Sequence, residues 1–222
     1  MPSLEDITFN EGVYLVKLAR RAIENYLRNG TTIPAPTDAP KILYEPFGVF
    51  VTIEKVYKIK GRTFKELRGC IGYPEPVKPL IEATIEVAIA AAVEDPRFRP
   101  MKYEETDSAI IEVSILSKPE LITAKKPKDI IKEIVIGRDG LIIERGFFKG
   151  LLLPQVPVEY GWDAETFLAE ACMKAGLPPD AWLLEGTKIY KFQALIFAEE
   201  EPRGRIIQRD LMKELLEKQR RE

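Results

Sequence analysis

Apolar residues recur at helical spacing near the start of the chain: Leu15, Leu18, Ala19, Ala22, Ile23, Tyr26 and Leu27 fall on one stripe. Thr8 followed three residues later by Glu11 has the spacing of a capping box, and Gly30 is placed to close the helix. Four prolines between residues 31 and 46 predict an extended loop. The period then changes to two. Val49, Val51, Ile53 and Val56 predict a strand from Phe47, and Lys60-Gly61 turns it into a second strand running from Phe64 to Ile71. Pro79 suits the first turn of a helix over 80–94 that is apolar almost all round, with Glu82 and Glu86 as its polar rail. Two prolines in Asp95-Pro96-Arg97-Phe98-Arg99-Pro100 force an irregular segment after it.

In the second half, Ile111, Val113 and Ile115 alternate with Glu112 and Ser114 as a strand over 110–116. A short helix is predicted over 127–133. Gly137-Arg138-Asp139-Gly140 reads as a hairpin turn between 134–136 and 141–143. Residues 147–153 form another strand, ended by Pro154-Gln155-Val156-Pro157. Asp163 caps a helix through Lys174 with Gly176 as its stop, 189–197 is a last strong strand, and 205–221 is a charged amphipathic helix read as a solvated end. Hairpin, glycine-containing segment and helix thus occur twice, around residues 67–72 and 150–155. The expected fold is α+β: a largely antiparallel sheet from two strand-strand-helix units, with a larger and a smaller lobe.

A chain of 222 residues with 45% hydrophobic residues can bury a substantial core. No apolar run reaches membrane-spanning length, the first residues lack a secretory pattern, and two cysteines make no disulfide framework, so a cytoplasmic protein is expected. Charged residues are abundant at 31% yet nearly balanced at −2, which suits a heat-stable protein and argues against broad capture of nucleic acid; a local basic patch stays open. The count that excludes most is that of histidine, which is zero. Without imidazole the chain by itself offers no Ser-His-Asp or Cys-His machinery and no ordinary catalytic zinc site, so neither metal nor cofactor is expected.

Chemistry therefore gathers on Cys70 in Leu67-Arg68-Gly69-Cys70-Ile71-Gly72. Gly69 and Gly72 mark a close backbone approach, by another strand or by a ligand. A following helix N-terminus and Arg68 would both lower the thiol pKa. The plainer alternative is a small buried hydrophobe. Gly69-Cys70-Ile71-Gly72 also has the spacing of a nucleic-acid backbone grip, a weak four-residue pattern without flanking lysines next to it. Asp95, Arg97 and Phe98 form either an anion clamp or helix-end chemistry with an Arg–Asp pair. Glu159 and Trp162 precede a helix, where packing and capping account for most of them. Cys172, among Phe167 and Leu168, reads as structural.

The run at 67–72 closely resembles the signature of the AMMECR family. The resemblance continues through Ala90-Ala91-Ala92, Asp95-Pro96-Arg97-Phe98, Ile111-Glu112-Val113-Ser114, Gly137-Arg138-Asp139-Gly140-Leu141, Gly150-Leu151-Leu152-Leu153-Pro154-Gln155-Val156 and Gly161-Trp162-Asp163. It covers about residues 8–202, leaving 203–222 as a charged helical extension. The resemblance implies a duplicated β-and-α unit, with a cleft between a larger and a smaller lobe. It raises Arg68, Cys70, Asp95, Arg97 and Gln155 as site candidates; together with the residues read above, Arg68, Cys70 and Asp95 are candidates for catalysis, and Gly69, Gly72, Arg97, Phe98, Gln155, Glu159 and Trp162 for the cleft. It also implies association with a Memo-like or a radical-SAM protein, and no established reaction. Two functions follow. One is a binding module or subunit whose chemistry belongs to a partner enzyme. The other is an enzyme with Cys70 as nucleophile or covalent carrier, Arg68 or Arg97 holding a small anionic substrate, and Asp95 or Glu159 as base; it requires an exposed cysteine of depressed pKa.

Overall fold

The first helix, α1 (Phe9–Asn29), begins where Thr8 and Glu11 satisfy each other's backbone N–H groups and ends at Gly30, whose φ of 69° only glycine adopts freely. Its buried stripe packs on α2 (Leu80–Val93), in which ten of fourteen residues are buried. This computed structural model describes residues 2–124 and 126–220. No helix among the described residues is long and apolar enough to cross a membrane.

The fold is α+β, and the chain divides into two units. The larger takes the residues up to Leu116 together with Leu195–Arg209. In it, β1 (Gly48–Ile59) lies between β2 (Arg62–Tyr73) and β3 (Ala109–Leu116), all antiparallel. On the far side of β3 runs the second half of β7 (Lys188–Glu199), itself paired with β8 (Ile206–Gln208). Val49, Val51, Ile53, Ile111, Val113 and Ile115 join the core made with α1 and α2. The opposite sheet face carries Thr52, Glu54, Cys70, Glu112 and Ser114. Glu112 and Ser114 are nonetheless buried, so the alternation along β3 marks two kinds of covered face and not a core face and a wet one.

The smaller unit holds Ser117–Ala194 and the segment from Asp210 onward. Its strands are β4 (Glu120–Leu121), the first half of β7, β5 (Asp139–Arg145) and β6 (Phe148–Leu152), paired in that order. Helices α3 (Pro127–Lys132), α4 (Gln155–Tyr160), α5 (Ala164–Lys174) and α6 (Leu211–Gln219) complete it. Phe167, Leu168, Ala171 and Cys172 of α5 pack with Leu141, Ile143 and Trp182.

The duplicated unit is borne out in a specific contact. A Cβ on Gly69 would lie 2.0 Å from the Ala91 carbonyl at the end of α2, and one on Gly150 would lie 2.4 Å from the Ala175 nitrogen at the end of α5. Each glycine sits in the second strand of its hairpin and lets the following helix end close against it.

Several local expectations are corrected. Gly137-Arg138-Asp139-Gly140 is no hairpin turn: the Asp139 carboxylate accepts from the Val135 N–H and the Arg138 guanidinium, closing the exit of α3, and Asp139 already pairs in β5. The chain reverses instead at Gly146 (φ 58°) and Phe147, a two-residue loop with glycine first. Residues 155–157, read as a break, begin α4, because Pro157 stands in the first turn, where a missing N–H costs nothing. Pro79 is the cap of α2 and not within it. The helix expected over 205–221 starts only at Leu211, after β8. Nor is it merely solvated: Leu211 is buried, and Lys218 donates to the Val158 and Glu159 carbonyls at the end of α4.

Candidate functional site

Cys70 lies in β2 opposite Thr52 of β1, and Thr52 in turn lies opposite Glu112 of β3. The register slips by one residue between Ile53 and Glu54, so Arg68 is the extra residue of a β-bulge. Two sets of contacts follow. The backbone of Cys70 faces the outer edge of β2, while its side chain faces the sheet surface.

At the edge, the segment after α2 stands in for a missing strand. Asp95 Oδ2 accepts from the Cys70 N–H at 2.8 Å, and Arg97 Nη2 reaches the Cys70 carbonyl at 3.5 Å. The two side chains lock each other, Nε to Oδ1 at 2.9 Å and Nη2 to Oδ2 at 2.7 Å, and Oδ1 also accepts from the Arg97 N–H. Burial works to raise the Asp95 carboxyl, but the Arg97 guanidinium and these N–H groups outweigh it and hold it at about 2. With every carboxylate lone pair engaged, Asp95 is a poor general base. Phe98 lies beneath two cations, its ring 5.4 Å from Arg97 and 5.9 Å from Arg68. Arg68 forks onto Glu105 at 2.9 and 3.1 Å, while its buried Nη1 meets no hydrogen-bond partner among the described residues. That fork occupies the guanidinium expected to act on the thiol.

On the sheet surface, Thr52 Oγ1 donates to Cys70 Sγ at 3.3 Å. By exposed surface the residue is half-buried, yet protein atoms crowd around its thiol. Burial pushes the thiol up; the Thr52 hydroxyl and Arg97 oppose this, and the charges of Glu112 and Asp95 add to it. The enzyme reading required a depressed thiol, and burial moves it the other way. The physical reason is burial of the thiol; nor does a helix start oppose it, because Gly69 packs on Ala91 in the last turn of α2, so the negative and not the positive end of that helix adjoins the signature. Burial and the Glu112 charge likewise raise Glu54, against Lys65 at 3.7 Å, while Glu112 pairs with Arg209 at 2.7 Å.

Of the expected site residues, the structure brings together Arg68, Gly69, Cys70, Asp95, Arg97 and Phe98, with Gly72 two residues along β2 against the Phe50 ring. Gln155, Glu159 and Trp162 belong to the smaller unit. Gln155 is buried at the start of α4, Glu159 is near its end, and Trp162 stacks on Tyr160 at 4.9 Å. Sequence reasoning missed Thr52, Glu54, Glu105 and Arg209, and gave Glu112 no role. A signal existed for some of them, since Thr52 and Glu54 alternate with the apolar positions of β1 as Glu112 and Ser114 do in β3. Among the described residues, no three His, Cys, Asp or Glu side chains are grouped to hold a metal ion. The arrangement can tie down a strand edge and present a thiol, a hydroxyl and carboxylates as neutral or paired groups.

The family model described as AMMECR1 matches residues 16–197. The chain is 57% identical over 201 residues to Protein PH0010 of Pyrococcus horikoshii, covering 90% of this chain and 96% of that protein. It is 54% identical over 206 residues to Protein MJ0810 of Methanocaldococcus jannaschii, covering 93% and 98%. The crystal structure of the uncharacterized protein PH0010 superposes with a TM-score of 0.86 at 56% identity, over 92% of this chain and 98% of that one.

Proposed function

Because the chain belongs to the AMMECR1 family, whose relatives named above carry no assigned activity, we propose its function from the site itself: a binding subunit that acts with a partner enzyme. The observation that supports this is the state of Cys70, a thiol raised by burial and bonded by Thr52. A nucleophile needs its thiolate, and here no histidine exists to make one, the Asp95 carboxylate beside the Cys70 backbone is fully engaged by donors, and Glu112 pairs with Arg209. The signature then works as architecture: Gly69 admits α2, and Asp95 with Arg97 finishes the strand edge. Such an edge holds β2 rigid for recognition.

The partner we propose is a Memo-like or a radical-SAM protein, each to be purified and mixed with this chain in sedimentation velocity. One of them forms a complex with a Kd on the order of 10 μM or tighter, and Cys70→Ala leaves that Kd within about twofold. The competing reading, Cys70 as nucleophile on a small anionic substrate held by Arg68 or Arg97, takes over if neither protein binds and the alkylation rate of Cys70 saturates below about pH 8.5.

A further inference from the structure

Beyond Lys55, the last residue of β1 paired with β3, the β1–β2 hairpin continues as a ribbon of two strands only. Residues 55–67 are exposed or half-buried throughout. Lys60 and Gly61 turn the ribbon with φ of 48° and 78°, and Tyr57 stacks on Phe64 across it at 5.7 Å. A two-stranded ribbon is marginal in water by itself. This one still displays large apolar side chains, with Ile59 51%, Phe64 41% and Leu67 37% exposed.

Charge on the arm is one-sided. Five cations, Lys55, Lys58, Lys60, Arg62 and Lys65, stand within the arm against one carboxylate, Glu66, with Lys65 3.7 Å from Glu54; the arm carries +4 and, against a whole-chain balance of −2, the rest of the molecule stands at −6. The outer edge of β2 is also treated differently along its length. At Cys70 the edge is tied by Asp95 and Arg97, whereas along 62–67 no backbone group bonds to anything but β1 among the described residues.

We propose that this open edge receives an acidic, extended segment of a partner protein, added antiparallel or parallel to β2 as a further strand. The inference rests on the binding-subunit reading above and names the surface and the chemistry of its occupant. Open N–H and C=O groups set the register, the exposed apolar side chains supply pockets, and the cations pair with carboxylates of the incoming strand. Five like charges oppose pairing with the same arm of a second copy, which is how lysines on an edge strand act against self-association. A nucleic acid would use the charge but not the strand edge, and the Tyr57 and Phe64 rings turn faces toward each other that bases would need.

The test uses the full chain, a short dye-labelled peptide of alternating Glu and Val, and an oligouridylate of equal charge. Anisotropy is read at low salt, about 50 mM, where surface charge is least screened. Saturable peptide binding is expected, with amides of 62–67 gaining protection from hydrogen exchange. The exposed-residue variant Lys58→Glu/Arg62→Glu should weaken it by about tenfold or more. Tighter binding of the oligouridylate, peptide binding indifferent to the charge reversal, or no gain of protection along 62–67 overturns the proposal. If the Memo-like or radical-SAM protein binds wild type and the charge-reversed arm equally, the arm proposal fails while the subunit reading stands. If the peptide docks as expected but neither protein binds, the subunit reading fails and the arm remains a strand acceptor.

Discussion

Replacing Asp95 by asparagine removes one charge and leaves the side chain almost the same volume. Each oxygen of the wild-type carboxylate accepts from two donors, Oδ2 from Cys70 N–H and Arg97 Nη2, Oδ1 from Arg97 N–H and Nε. An amide turned either way sets its NH2 against two of those donors. The carboxyl titrates at about 2 in place of its ordinary 3.8. At 1.36 kcal/mol per pKa unit, that difference alone is worth about 2 kcal/mol, an upper figure because the Arg97 side chain is 44% exposed. Facing donors against donors adds about 1–3 kcal/mol. The expected loss at pH 7 is therefore roughly 2–4 kcal/mol, or about 4–16 °C in Tm for a chain of this size.

The pH dependence has a definite sign. Folding depresses this carboxyl, so the ionised form contributes its full stability above the unfolded value near 4, and that contribution is lost as pH falls through about 2. Circular-dichroism melts of wild type and Asp95→Asn from pH 7 down to pH 2 measure it. The gap between the two proteins should be widest at neutral pH and close across that acid window. A gap below about 0.5 kcal/mol at pH 7, or one that stays constant down to pH 2, would refute the account of the edge clamp.

With Cys172 replaced by Ser, alkylation of Cys70 should rise with pH without saturating before about pH 9, and should run slower than that of a free cysteine. Gly69→Ala should lower Tm by about 3–10 °C, because the Ala91 carbonyl cannot give way as a side chain would; unchanged or raised stability would mean that α2 shifts freely. Lys60→Asn should stabilise the hairpin by about 0.5–1 kcal/mol in urea titrations, since asparagine tolerates the positive φ that lysine adopts there. Glu199→Gln should cost about 2–4 kcal/mol by the same measurement, because this buried carboxylate holds the half-buried Arg20 fork and the Ile111 N–H.

The regular elements were legible where one periodicity ran long enough to be unambiguous: α1 between Thr8 and Gly30, the hairpin around Lys60-Gly61, and α5 behind Asp163. The misreadings came from residues whose side chains bond locally. Asp139 looked like turn chemistry and instead ties the exit of α3 while beginning a strand. Pro157 looked like a breaker and stands in the first turn of α4. At the candidate site, the sequence picked out residues that the structure brings together, Arg68, Cys70, Asp95, Arg97 and Phe98, but not the state of the thiol, which burial sets first. No spacing within 67–94 encodes that burial. The ion pair of Glu112 with Arg209 was equally invisible, since its partners lie 97 residues apart.

The larger unit is completed by residues 195–209, which follow the main segment of the smaller one in the chain, with Arg20 waiting for a partner 179 positions away. During translation at about 5–20 residues per second, roughly 5–20 s separate Leu116 from Arg209. Throughout that interval α1, α2 and three strands have left the ribosome, while β3 presents a bare edge of eight buried positions. The nascent chain is therefore most vulnerable to mispairing before the second half of β7 emerges, and a truncation upstream of Leu195 leaves the first 116 residues without their closing strand.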